Sequence, residues 1–166
     1  MAEVVLYHHV QGLTDGVRAF ADGLRQGGHT VHTPDLFEGR TFATLDEGMA
    51  FAREAGFGAL VERGVAAAAA FNGAVYAGIS LGVMVAQQLA QTRDGAGGAL
   101  LLCGCLPVSE FGDAWPAGVP VQVHGKEGDE FFDEDLAAAR ALAESTDDAE
   151  LFLYPGGEHL FLDSSL

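Results

Sequence analysis

Short apolar runs alternate along this chain with longer stretches of helical period, and that alternation narrows the fold more than any other feature. Strands are expected at Glu3–His8, Thr30–Thr33, Ala74–Ala77, Ala99–Leu102, Val119–His124 and Glu150–Tyr154. Several are apolar without a break, as expected of strands buried on both faces. Helices are expected at Asp15–Gln26, Leu45–Glu54, Phe57–Phe71, Leu81–Thr92 and Glu134–Glu144. Thr14 can cap the first of them and Gly27-Gly28 can end it, while Thr44 and Glu47 have the spacing of a capping box. Strands joined through helices of ten or so residues imply right-handed crossovers and a parallel sheet. The fold class is therefore α/β: three layers, a mostly parallel sheet of about six strands, and helices on both faces.

After the last expected strand only residues 155–166 remain, too few for the helix that normally closes such a sheet. The C-terminal helix is thus expected to be lacking, through truncation or because something else covers that face. An uncovered strand face would be an exposed apolar patch, and it would suit pairing with another subunit, so a homo-oligomer stays open.

Composition supports one domain spanning residues 1–166. Hydrophobic residues make up 49% of the chain and charged residues 19%, enough for a real core and unlike a disordered segment. Asp and Glu number 24 against 8 Lys and Arg, for a net charge of -16. Such a polyanion repels phosphate backbones and anionic bilayer surfaces, which argues against nucleic-acid and membrane partners. No apolar run reaches spanning length, and the opening MAEVVLYHH lacks the basic region of a signal peptide. Cys103 and Cys105 lie in one apolar run and read as buried, inert thiols without a disulfide, consistent with a reducing, cytoplasmic location.

The strongest local signal is Gly78-Ile79-Ser80-Leu81-Gly82, which follows the strand AVYA and precedes the helix LGVMVAQQLAQ. This is G-x-S-x-G in its strand–turn–helix setting. The sharp turn lifts Ser80 to the carboxyl end of the sheet, and the glycines let strand and helix approach. Ser80 then sits at a helix N-terminus, with the Leu81 N–H able to stabilise an oxyanion. Without chemistry, the same residues read as a glycine-rich turn with a serine cap.

A nucleophilic serine needs a base and an orienting acid, and in sheets carrying this elbow they follow in the order nucleophile, acid, histidine. Of six histidines only His159 lies beyond the last strand, in YPGGEHLF. Asp129, in the loop after VPVQVHG, is placed to orient it, with Glu127 the main competitor. The first strand ends in Tyr7-His8-His9-Val10-Gln11, a loop that would supply the second oxyanion N–H from Val10, or else from Gln11. His9 is expected to project into the pocket, as a substrate contact or a second titrating group. A zinc site built on His8 and His9 with His124 or His32 lacks ligand spacing, so no metal is expected. Arg40 could pair with a substrate carboxylate or simply be a surface residue. Phe37, Trp115 and Phe161 could line an apolar pocket or belong to the core.

With these pieces assembled, the chain resembles the dienelactone hydrolase family, a small α/β-hydrolase branch, nearly from end to end. The resemblance rests on HHVQGLTDGVRAFADGLRQGGHTVHTPDLFEGRTF, YAGISLGVMVAQQLAQ, PVSEFGDAWPAGVPVQVHG and LFLYPGGEHLFLDSSL. It implies hydrolysis of a small ester or lactone through an acyl-enzyme, with no cofactor, and carries nucleophile, acid and base onto Ser80, Asp129 and His159. The family's lactone-cleaving members have a cysteine where this chain has Ser80 and a glutamate where it has His9. Both departures bear on the dienelactone substrate. Alternatives on the same fold are an inactive hydrolase-fold binding protein, or a thioesterase or peptidase using the same three residues.

Overall fold

A computed structural model describes residues 1–166. Six strands form one sheet: β1 (Glu3–Tyr7), β2 (Thr30–His32), β3 (Val75–Ile79), β4 (Gly98–Leu102), β5 (Val121–Lys126) and β6 (Ala149–Tyr154). Their spatial order is β2-β1-β3-β4-β5-β6 and every neighbouring pair is parallel. Five helices connect them: α1 (Asp15–Gln26), α2 (Leu45–Ala55), α3 (Phe57–Ala67), α4 (Gly82–Thr92) and α5 (Glu130–Ser145). None is long and apolar enough to cross a membrane.

The two-residue period of the strands divides the core. Val5 and Tyr7 of β1 face a large cluster with Leu60 of α3, Val85 and Leu89 of α4, and Phe132 and Leu142 of α5. Val4 and Leu6 face a smaller cluster with Val17 and Ala21 of α1 and with Leu160 of the C-terminal tail. Continuous apolar strands thus bury both faces, as their sequence implies. The capping residues work as the spacing suggests: Val17 N–H donates to Thr14 Oγ1 and Glu47 N–H to Thr44 Oγ1.

No helix follows β6, and residues 155–166 run as turns. The open part of the sheet, on the α1 side of β5 and β6, is not the apolar patch expected. It carries Gln122, His124, Glu150 and Phe152. The His124 ring stacks on Phe152 at 4.6 Å, and its Nδ1 meets the Tyr154 hydroxyl at 2.8 Å.

Candidate active site

Ser80, Asp129 and His159 gather at the carboxyl ends of β3, β5 and β6, the edge where open α/β sheets bind their ligands. Ser80 occupies the turn between β3 and α4 with φ of +51°, a left-handed conformation that a serine adopts only under constraint. The constraint is visible. Ser80 N–H donates to the Leu102 carbonyl of β4 at 2.7 Å, and Val83 N–H closes the turn on the Ser80 carbonyl at 2.9 Å.

His159 reaches this turn from the loop after β6. Its Nε2 lies 2.8 Å from Ser80 Oγ, and its Nδ1 lies 2.6 Å from Asp129 Oδ2. A carboxylate can only accept, so the ring proton resides on Nδ1 and the Nε2 lone pair faces the serine hydroxyl. The Asp129 side chain is fully buried and that of His159 is 8% exposed, so water competes little for either contact. Asp129 also caps α5, its Oδ1 accepting from Phe131 N–H at 2.9 Å. Glu127, the competing acid, is exposed and does not reach His159.

Two backbone donors flank the serine. Neither the Leu81 nor the Val10 N–H has an acceptor within the protein. Both residues line hollows that contain Ser80. Unpartnered N–H groups beside a serine hydroxyl are an arrangement able to stabilise an oxyanion.

The cleft over Ser80 has a volume of about 460 Å³. Leu45, Met49 and Phe131 form its apolar wall, and Asp46, Arg53, Glu134 and Asp135 its polar one. Burial raises the Asp135 carboxyl above its ordinary range, even though it accepts a hydrogen bond from Cys105 N–H. Cys103 also borders the cleft, but burial, with the nearby Asp129 charge, pushes its thiol up to about 12. Burial does the same to Cys105, so both thiols stay protonated and are poor nucleophiles.

Two expected substrate contacts lie elsewhere. His9 is fully buried and does not enter the cleft. Its Nε2 is 2.7 Å from Asp163 Oδ2, and its Nδ1 accepts from Gln11 N–H at 3.1 Å, so both nitrogens are engaged inside the protein. Arg40 stacks its guanidinium 5.1 Å from the centroid of the Phe51 ring and is drawn away from the cleft. Phe37 and Trp115 are core, Phe37 meeting His8 and Phe51 edge-on, whereas Phe161 lines a hollow on the far side of His159. The cation that does border the cleft is Arg53, which the sequence reading passed over. The signal was present: Asp46, Met49 and Arg53 are spaced three and four residues apart and so share one face of α2. No group of three His, Cys, Asp or Glu side chains is arranged to hold a metal ion.

Comparison with curated proteins found no match, whereas solved structures share the fold at low identity. A dienelactone hydrolase-like promiscuous phosphotriesterase from metagenomic libraries aligns with a TM-score of 0.73 and 20% identity, over 97% of this chain and 72% of its own. Dienelactone hydrolase from Anabaena variabilis aligns with a TM-score of 0.68 and 19% identity, over 99% and 78% of the two chains. A cold-adapted esterase from an Arctic intertidal metagenomic library gives 0.65 and 20%, over 99% and 76%. At the level of sequence, the family description "Dienelactone hydrolase family" matches residues 1–165. The chain therefore belongs to the dienelactone hydrolase family, and with it to the hydrolases of ester bonds.

Proposed function

We propose that the protein is a serine hydrolase that opens a small carboxylic ester or lactone through an acyl-enzyme. The observation that carries this reading is the unbroken relay from Ser80 Oγ to His159 Nε2 at 2.8 Å and from His159 Nδ1 to Asp129 Oδ2 at 2.6 Å. Ser80 Oγ attacks the carbonyl carbon while its proton passes to His159 Nε2. The carbonyl oxygen, now negative, rests on the N–H groups of Leu81 and Val10, which need not reorganise because nothing else occupies them. Asp129 holds the ring and stabilises the imidazolium that forms. His159 then returns the proton to the departing alkoxide, and the alcohol leaves. A water deprotonated by His159 attacks the acyl-serine, the second tetrahedral adduct collapses, and the carboxylic acid is released with Ser80 reprotonated.

The test is hydrolysis of p-nitrophenyl acetate by the wild type and by Ser80→Ala. Turnover is expected to fall by about 10⁵–10⁶ in the variant. A fluorophosphonate probe should label the wild type at Ser80 and leave the variant unlabelled. A variant that keeps most of the wild-type rate would overturn the reading.

A further inference from the structure

The loop after β1 carries Val10, and its backbone is bonded in a way that leaves one donor over. The His9 carbonyl accepts from His8 Nδ1–H at 2.7 Å and from Gly12 N–H at 3.1 Å. Gln11 N–H is taken by His9 Nδ1, and the His9 ring is anchored through Nε2 to Asp163. Asp163 is itself held by the Thr14 hydroxyl and by Ser165. Val10 N–H alone, among the amide groups of Val10, Gln11 and Gly12, finds no acceptor.

The direction of that free N–H follows from peptide geometry. The His9 C=O and the Val10 N–H belong to the same peptide unit, and the chain contains no cis peptide. In a trans unit the two groups point in opposite directions. Whatever holds the His9 oxygen on the His8 side therefore turns the Val10 N–H to the opposite side, and Val10 and Ser80 line the same two hollows.

His8 can play this part because its tautomer is fixed. Leu36 N–H donates to His8 Nε2 at 2.9 Å, so that nitrogen carries no proton and Nδ1 carries the one given to the His9 carbonyl. The ring is fully buried and wedged edge-on against Phe37 at 4.9 Å. Leu36 lies in the segment after β2, so the stretch from Asp35 to Phe37 sets the ring that sets the peptide.

We infer that His8 is a positioning residue for the oxyanion site: its Nδ1–H holds the His9–Val10 peptide with the Val10 N–H turned toward Ser80. This rests on the hydrolase reading above, and on the Val10 N–H as one of its two oxyanion donors.

Two substitutions separate the two ends of the ring. In His8→Asn the side-chain amide lies near the Nδ1 position and can still donate to the His9 carbonyl, while the Leu36 acceptor is lost. In His8→Gln the amide lies near the Nε2 position, so the Leu36 side is served and the His9 carbonyl loses its shorter, side-chain donor, keeping only the 3.1 Å bond from Gly12 N–H. The expected result with p-nitrophenyl acetate is a kcat lowered by about 10²-fold in His8→Gln, with KM little changed. Inhibition by a trifluoromethyl ketone, which forms a tetrahedral adduct on the serine, should weaken in parallel. His8→Asn should stay close to wild type in both measurements, even where its melting temperature falls. The inference is overturned if His8→Gln keeps as much kcat as His8→Asn, since a merely structural histidine would not distinguish them. Should the variants fail to fold, NMR nitrogen shifts of the wild-type ring decide: a proton on Nδ1 supports the inference and one on Nε2 overturns it. A wild type that neither turns over the ester nor takes up a fluorophosphonate removes both readings. An active wild type with insensitive variants removes this one alone.

Discussion

A Cβ built on Gly82 would stand 2.3 Å from the Tyr7 carbonyl oxygen, and one built on Gly78 2.2 Å from that of Gly82. These are backbone atoms of β1 and α4, and they cannot swing aside as a side-chain tip would. The elbow therefore admits no side chain at either glycine while Ser80 keeps its left-handed turn. Gly82→Ala is expected to cost about 2 kcal/mol or more in a urea titration followed by circular dichroism. It should lower turnover as well, because Tyr7 leads directly into the loop that carries Val10. Gly23→Ala is the control: that glycine is exposed within α1 and nothing lies within 4 Å of its Cβ, so stability should rise by about 0.5–1 kcal/mol. At this scale the relay was legible because its parts sit at defined points of the chain: a serine between two glycines, an acid after the fifth strand, a histidine after the sixth. His9 and Arg40 were misread because their positions depend on tertiary partners that no local pattern reveals. Asp163, 154 residues away, draws His9 inward, and the Phe51 ring captures Arg40.

Helix α5 begins at Glu130, four residues before its expected start, and the reason is Asp129. One oxygen of this residue caps the helix by accepting from Phe131 N–H, while the other meets His159. The acidic run after it reads from sequence as loop, yet with a cap in place the same acids favour the first turn through the helix dipole. α3 errs in the opposite sense, ending at Ala67 where its alanines alone would carry it to Phe71. There the Phe71 ring stacks on His32 at 3.9 Å and the Phe71 carbonyl accepts from the Tyr76 hydroxyl, contacts that override propensity. The double duty of Asp129 can be divided experimentally. Asp129→Asn keeps an oxygen for the Phe131 N–H but turns an amide toward His159 Nδ1, which forces the proton to Nε2. Turnover of p-nitrophenyl acetate should fall by about 10⁴ with the melting temperature nearly unchanged. Asp129→Ala should lose comparable activity and in addition about 1 kcal/mol from the missing cap. Equal melting temperatures for the two variants would show that the capping bond contributes nothing.

Across the whole molecule, acid should find the same weak point twice. His8 and His9 are both fully buried, and each ring is read as neutral because one of its nitrogens accepts from a backbone N–H. Burial, opposed by the hydrogen bond to the His9 carbonyl and then by Asp35, lowers His8 from 6.5 to about 4, and burial lowers His9 as well. Asp163, beneath His9, is held low too: burial works to raise it, but hydrogen bonds from Ser165, Thr14 and His9 prevail. The unfolded chain takes a proton on His8 near pH 6.5, whereas the folded chain takes it only near 4. Between those values the unfolded state binds more protons, so acidification favours it. The stability from keeping His8 neutral is complete above about pH 6.5 and lost as pH falls through 4, and for His8 alone it amounts to about 3 kcal/mol. His9 adds a loss of the same sign, and Asp163 a further one below its ordinary carboxylate range. The net charge of -16 opposes this only late, because repulsion among the carboxylates is relieved chiefly when they protonate near pH 4 and below. Urea midpoints at fixed ionic strength should therefore be level from pH 8 to about 6.5 and decline from there to about 4.5. In His8→Asn the decline should be shallower, since one of the titrating rings is gone. A midpoint that rises on acidification through this range would mean that charge repulsion outweighs the buried histidines.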